Sequence, residues 1–101
     1  MTCKALAIDQ SSDADVLIKV GSGLFYGASF MVPADGVIKI YDAASVATIA
    51  DSKLLAAAQF DVSETGHYNW SVSPCEPVKF TLGLVIVITD AAGSLGAVWY
   101  K

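Results

Sequence analysis

The stretch Phe80-Thr81-Leu82-Gly83-Leu84-Val85-Ile86-Val87-Ile88-Thr89-Asp90 decides the fold class of this chain. Its centre, 85–89, is an unbroken run of β-branched side chains, which are stiff at χ1 and fit a pleated strand better than a helix. Successive side chains of a strand point to opposite faces, so a strand that is apolar at every position must be covered on both. The stretch therefore predicts a central strand between a core and a second covering layer.

Turn-forming residues divide the rest of the chain into short strands, at spacings of about 8–12 residues that are typical of an all-β sandwich or barrel. No helical pattern is long enough for a βαβ unit. We therefore predict a single domain over residues 1–101. Its fold is an all-β β-sandwich or jelly-roll-like barrel of about 8–9 short antiparallel strands. The predicted strands are 2–8, 16–20, 24–32, 37–41, 53–60, 67–72, 78–81, 84–89 and 95–100.

Four local signals refine this prediction. Gly27, inside the third strand, indicates a bulge or the close approach of another backbone. Asp42 is placed to cap a short helical turn within 43–50, with a loop as the alternative. Residues 53–60 favour a strand, but their alanine and leucine content also suits a helix. The strand 67–72 alternates aromatic or apolar residues with polar ones, which predicts one aromatic face.

The composition indicates that part of the surface is covered by another subunit. Hydrophobic residues make up 54% of the 101 residues, above the ordinary range of about 45–50%. Charged residues are only 16%, against about 25% in typical domains. An oligomer or a partner that buries apolar surface explains both values. The alternative is that the excess comes from alanines, which are nearly neutral anywhere.

The charge balance argues against a nucleic-acid partner. The net charge is -4, and all six basic residues are lysines, whereas nucleic-acid binding depends on cationic contacts to phosphate. The longest apolar stretch is far shorter than the roughly 20 residues that cross a bilayer, so no membrane is expected. No signal peptide is recognisable, which suggests maturation in a reducing cytoplasm. Cys3 and Cys75 are then expected as free thiols, with a disulfide between them left open.

Side chains suited to catalysis or zinc binding are few and scattered. His67 is the only histidine, and it lies on the polar face of its strand beside a turn. No nucleophile elbow accompanies it, so a surface histidine is the simpler interpretation. Zinc sites need clustered cysteine and histidine ligands, whereas Cys3, His67 and Cys75 are dispersed.

An acidic loop gives the remaining possibility for a metal. Asp9, Asp13 and Asp15 fall in the polar segment 9–15 and could bind Ca²⁺ through oxygen ligands. Their spacing lacks the glycine and the distal glutamate of an EF-hand loop, so a solvated loop is the simpler interpretation. We therefore predict no enzyme activity, no cofactor and no metal site.

The aromatic residues offer a binding surface rather than chemistry. They could form a platform on which sugars stack, but aromatic residues in strands more often lie in a core or a subunit contact. For a subunit contact we select four anchors. These are Trp70, Trp99, Tyr100 and Phe25.

Several elements also form a recognisable series. They are Ile18-Lys19-Val20 with Gly23-Leu24-Phe25-Tyr26-Gly27, then Ile38-Lys39-Ile40-Tyr41-Asp42, then Val78-Lys79-Phe80 with Gly83-Leu84, and the closing Val98-Trp99-Tyr100-Lys101. Over roughly residues 16–101, this series resembles small virion proteins of tailed bacteriophages. The chain departs from them in its middle, where 50–53 and the alanine run 56–58 replace proline and glycine.

The resemblance implies a β-sandwich that packs on or within a phage particle, and it brings no catalytic residues. We expect a capsid decoration (cement) protein in the virion that binds the assembled major capsid protein and forms a homodimer or homotrimer. A receptor- or carbohydrate-binding module of a phage tail or fibre is the alternative. The terminal strands, 2–8 and 95–100, are expected to be edges that pair with neighbours.

Overall fold

The computed structural model describes residues 4–10, 14–61, 66, 68–90 and 94–101, and most of them lie in strands. The two 3₁₀ turns are Val46–Thr48 and Asp51–Lys53. The strands are β1 (Lys4–Gln10), β2 (Ala14–Val20), β3 (Gly23–Val32), β4 (Gly36–Asp42), β5 (Leu54–Phe60), β6 (Tyr68–Val72), β7 (Val78–Phe80), β8 (Gly83–Thr89) and β9 (Ser94–Tyr100).

The strands form two antiparallel sheets. The first sheet has the order β1-β9-β3-β6, with the short β7 also paired to β3, and the second has the order β2-β8-β4-β5. With β7 set aside, this is the strand order of a jelly roll. One long hairpin is rolled up so that β4 pairs with β5, β3 with β6, β2 with β8 and β1 with β9. The predicted all-β sandwich of jelly-roll type is confirmed.

The two sheets enclose one hydrophobic core. Alternate residues of β8, namely Leu84, Ile86 and Ile88, are fully buried in it. The residue between the first two, Val85, is also 0% exposed, although it faces away from this core into a second small cluster. The prediction that this strand needs cover on both faces is therefore confirmed. The other fully or nearly buried members of the main core are Phe25, Ala28, Phe30, Val32, Ile38, Ile40, Phe60, Phe80 and Val98.

Residues 43–53, here named the covering segment, form the layer over the outer face of the second sheet. They connect β4 to β5 and lie at the tip of the rolled hairpin. The two 3₁₀ turns of the segment lie against β2 and β4. Ala43 and Ile49 pack with Val85 and Tyr41, which are cross-strand neighbours on β8 and β4. The chain thus covers the centre of this face with its own residues, while at its flanks Leu17 and Leu54, the partners of Val85 and Tyr41 on β2 and β5, remain 39% and 42% exposed.

The expected helical turn is present in the covering segment, but its cap is a different residue. The turn Val46–Thr48 follows Ser45, whose backbone N–H donates to Thr48 Oγ1 at 3.2 Å. Asp42 belongs to β4 and directs its carboxylate at residues 81–83 instead. The prediction that Asp42 caps the turn is wrong, because its hydrogen-bond donors come from a distant part of the chain.

One edge of the first sheet is split between two strands. β6 pairs with residues 28–32 of β3 and β7 pairs with 23–25, so a connector with two prolines lies between them. At this gap Gly27 has φ of 150°. A Cβ on Gly27 would lie 2.5 Å from the Val72 carbonyl oxygen. β3 also shifts register against β9 here, so Gly27 marks the predicted bulge and close backbone approach.

Two expectations about the ends of the fold change. The last strand, β9, is not an edge, because it lies between β1 and β3, whereas β1 is an edge as predicted. The polar loop is shorter than 9–15, because β1 continues to Gln10 and β2 begins at Ala14. No described helix is long and apolar enough to span a membrane.

Candidate functional site: the open face of the first sheet

The outer face of the first sheet differs from that of the second, because no described segment lies over its centre. The side chains that point outward from β6, β3 and β9 alternate with buried residues of the core. All of them are uncharged. Charged residues occur at the margins of this face: Lys79 on β7 lies beyond the Gly27 bulge, and Asp9 on the edge strand β1 pairs with Leu95 in the register. We name this surface the open face; it consists of Ser29, Met31, Asn69, Ser71, Leu95, Ala97 and Trp99.

Large apolar side chains are exposed at both ends of the open face. At one end Met31 and Leu95 are direct cross-strand partners and are 41% and 44% exposed. At the other end Trp99 is 37% exposed. Ser29 and Ala97, which pair with each other between the two ends, are small. Contiguous exposed apolar surface of this kind typically marks a contact site.

A groove opens at the Trp99 end of the open face. Its volume is about 330 Å³. It forms where Gly27 has no side chain and the neighbouring edge strand is interrupted after Val72. The described residues that line it carry no charge; they are Tyr26, Gly27, Ala28, Ser29, Ser71, Val72, Ser73 and Trp99.

The buried carboxylate of Asp42 holds the fold together beneath the covering segment. Asp42 Oδ2 accepts hydrogen bonds from Thr81 N at 3.0 Å and Thr81 Oγ1 at 3.3 Å. Asp42 Oδ1 accepts from Leu82 N at 2.8 Å and Gly83 N at 3.3 Å. Burial raises the pKa of Asp42, but these donors outweigh it and hold the pKa below its ordinary value of 3.8. The arrangement fixes the β7–β8 turn to β4, which is a structural role.

A second cavity lies at the end of the second sheet and is acidic. It measures about 340 Å³ and has three carboxylate residues, Asp35, Asp61 and Asp90, in its lining. Within the described ranges, no group of three or more histidine, cysteine or acidic side chains is arranged to hold a metal ion.

The structure distributes the four predicted contact residues over three environments. Trp99 alone lies on the open face. Phe25 is 1% exposed in the core, so it is not accessible to a partner in the closed sandwich. Trp70 and Tyr100 are half-buried and pack against the core, where Trp70 contacts Phe30 and Phe60 with ring centroids 6.3 and 6.0 Å apart. Their role in an interface stays a prediction.

The predicted aromatic face of β6 is found, but it points inward. Tyr68, Trp70 and Val72 share the face of the sheet that carries Phe30. Tyr68 and Phe60 have ring centroids 5.6 Å apart, so they bridge the seam between the two sheets. Trp70 and Val72 on this surface pack against the core, whereas Tyr68 at its end remains 51% exposed.

The residues considered for catalysis or metal binding are not brought together by the described structure. His67, Cys3 and Asp13 lie outside the described residues. Cys75 is an exposed free cysteine in the connector between β6 and β7. Asp9 and Asp15 belong to β1 and β2, in different sheets, rather than to one loop.

Sequence reasoning missed the two residues that define the far end of the open face. Met31 and Leu95 lie in strands whose alternation with Phe30 and Gly96 could have been followed from the sequence. The alternation alone could not place them opposite each other, because their strands are far apart in the chain and pair only in the folded molecule. Comparison with family models, with curated proteins and with solved structures found no match to the chain.

Proposed function

We propose that this protein is a structural virion protein, a capsid decoration protein that binds the assembled major capsid protein through its open face and stabilises the shell. One observation carries the proposal. The central strands of the open face expose Met31, Leu95 and Trp99 and present no charge, while the centre of the opposite face of the sandwich is covered by residues of the chain itself.

The size of the molecule is compatible with such a contact. A specific interface takes about 800 Å² from each partner. The molecule measures 39 × 29 × 21 Å, so one outer face supplies an area of that order. Binding of many copies to a repetitive shell adds avidity to a modest single contact. The low fraction of charged residues, 16%, also supports burial of surface against protein, including self-association as a homodimer or homotrimer.

The fold is compatible with the proposed capsid role, and the resemblance of the sequence makes that role more specific. The jelly-roll strand order occurs in viral capsid domains, but also in lectins and cupins, and a fold does not determine a function. The resemblance to small virion proteins of tailed phages favours the capsid among these. The open face then supplies the contact surface that a decoration protein requires.

The first test is the abundance of the chain in virus particles from its source. We expect hundreds of copies distributed over the shell, measured by quantitative mass spectrometry and electron microscopy of purified particles. A few copies at the tail favour the receptor-binding alternative. Absence from particles contradicts the proposal.

The second test locates the contact on the molecule. Leu95→Glu places a charge at the centre of the apolar end of the open face and is expected to prevent rebinding to particles stripped of the protein. Val46→Glu is the matched control, because Val46 is 41% exposed and lies on the covering segment at the opposite side. Equal binding by both variants contradicts the assignment of the open face.

A further inference from the structure

We infer that the groove beside Trp99 is a binding site for a neutral pyranose sugar. The site lies at the end of the open face opposite Met31 and Leu95. The groove shares Trp99, Ser29 and Ser71 with the open face, so a sugar and a shell would compete for this end of the face; binding of a sugar is therefore tested on the free protein, where it does not depend on the proposed shell contact.

The groove has the two kinds of surface that a pyranose ring presents. Trp99 is an aromatic side chain with an accessible ring, and aromatic rings pack well against the apolar C–H face of a sugar. Three hydroxyl groups, of Ser29, Ser71 and Ser73, line the same groove. Each hydroxyl can both donate and accept a hydrogen bond, as sugar hydroxyls do.

These three hydroxyl groups are available for a ligand. In the described part of the chain, the side chains of Ser29, Ser71 and Ser73 form no hydrogen bond. A purely apolar ligand would bury them without partners, which costs free energy. The accessible surface of the groove is mainly apolar, and a sugar ring can pack its C–H face on that surface while its hydroxyl groups satisfy the serine hydroxyls.

The charge and size of the groove narrow the class of ligand further. The lining residues are all uncharged, so an acidic or basic sugar would lose hydration without gaining an ion pair. The volume of about 330 Å³ is at the lower end of the range of about 300–1,000 Å³ for ligand pockets. A single neutral ring, or the end of a glycan chain, suits this volume.

The backbone explains why the groove exists at this place. Gly27 cannot be replaced by a larger residue without a contact of 2.5 Å between its Cβ and the Val72 carbonyl oxygen. The neighbouring strand is broken between Val72 and Val78. The groove beside Trp99 therefore results from the backbone bulge at Gly27 and does not depend on the rotamer of one side chain.

The inference is tested by titrating the isotope-labelled protein with methyl glycosides of glucose, galactose, mannose and N-acetylglucosamine in two-dimensional NMR. We expect at least one of them to bind in the millimolar range and to shift the resonances of Gly27, Ser29, Ser71 and the Trp99 indole. N-acetylneuraminic acid, which is charged, is expected to cause no shifts there. Absence of shifts with all four neutral glycosides overturns the inference, and so does binding elsewhere on the molecule.

Variants separate a sugar site from a general apolar surface. Trp99→Ala is expected to abolish binding, and Ser71→Ala to weaken it by about tenfold, which corresponds to one lost hydrogen bond. Leu95→Ala, on the same face but outside the groove, is expected to bind the glycoside unchanged. If Trp99→Ala binds normally while its spectrum remains that of a folded protein, the groove is not the site. If Trp99→Ala loses attachment to particles and no glycoside binds the wild type, the groove holds a side chain of a protein partner and the inference is wrong.

Discussion

The outer faces of the two sheets are built from strands of similar length, yet the chain covers the centre of one face with its own residues and leaves the centre of the other bare. In the second sheet, Val85 and Tyr41 are buried under the covering segment. In the first sheet, Met31 and Leu95 occupy equivalent outward positions and are exposed. Apolar side chains buried on the covered face stabilise the fold, whereas apolar side chains exposed on the open face are available to contact a partner.

The difference follows from the residues of the central strands. β8 is apolar at five successive positions, 84–88, so its outward residues must be buried for the strand to be stable in this place. β3 and β9 alternate small or polar residues with apolar ones on their outer side, so their face tolerates water. The stability of the fold should therefore depend strongly on the covered face and weakly on the open face.

The largest expected effect is that of a charge on the covered face. Val85→Asp places a carboxylate in a cluster without a cation and should destabilise the protein by more than about 3 kcal/mol, because a buried charge without a partner is costly. Leu95→Asp on the open face should cost no more than about 1 kcal/mol, because aspartate suits a strand poorly and would lie opposite Asp9 in the register. Urea unfolding of both variants measures the contrast. Similar losses in the two variants would show that the faces do not differ in this way.

The next effect concerns the anchor of the covering segment. Ala43 N donates to the Gly83 carbonyl oxygen at 3.2 Å. A Cβ on Gly83 would lie 2.3 Å from the Ala43 carbonyl oxygen and 2.7 Å from that of Lys19. Both are backbone atoms, so Gly83→Ala should cost up to about 3 kcal/mol through overpacking. Thermal unfolding checks this; an unchanged midpoint would mean that the segment is not held at this point.

A smaller effect is expected at the buried carboxylate that supports the same face. Asp42→Asn keeps the shape of the side chain but removes the charge that accepts from residues 81–83, and should cost about 1–2 kcal/mol at neutral pH. Asp15→Asn, at an exposed position of β2, is the matched control and should have little effect. The urea midpoints of both variants are compared with that of the wild type. Equal midpoints for Asp42→Asn and Asp15→Asn would show that the Asp42 carboxylate does not stabilise the fold.

The same carboxylate predicts the direction of the pH dependence. The pKa of Asp42 is lower in the folded protein than its ordinary value of 3.8. Its contribution to the free energy of unfolding is therefore complete above that value and is lost as the pH falls through the lowered folded-state pKa. Asp42→Asn should lack this part of the acid destabilisation. If the free energies of unfolding of the wild type and of Asp42→Asn fall in parallel as the pH is lowered, Asp42 does not contribute to the acid destabilisation.

The smallest effect on stability is expected on the open face. Met31→Thr with Leu95→Thr removes apolar surface that is already exposed, and threonine suits a strand. The free energy of unfolding should change by no more than about 0.5 kcal/mol, while rebinding to stripped particles should weaken. A loss of stability much larger than this, in the isolated protein, would mean that these side chains are packed rather than available.

The fold class could be predicted from the sequence because the signals involved are local. The β-branched run 85–89 and the turn residues between strands act within a few positions. Gly27 indicates a bulge because a glycine inside a strand contributes no side chain to packing and allows another backbone to approach closely. The sequence also predicts that the outward side of Val85 is buried, but it does not predict that residues 43–53 are the segment that buries it.

The candidate site was harder to predict, because it depends on pairing between distant strands. The register shift at Gly27 moves Phe25 onto the same face as Ala28 and Phe30, so simple alternation fails across it. Phe25, selected as a contact residue because it is aromatic, is buried in the core of the structure. The sequence likewise pairs Asp42 with its nearest helical turn, although its hydrogen-bond donors lie about 40 residues further along the chain.

The central claim is that the open face contacts other protein while the covered face does not. A cryo-electron microscopy reconstruction of particles that carry the protein tests this most directly. The account predicts that Met31, Leu95 and Trp99 lie against the shell or another copy of the chain, with residues 43–53 directed to solvent. A reconstruction in which residues 43–53 contact the shell and the open face is bare would contradict it.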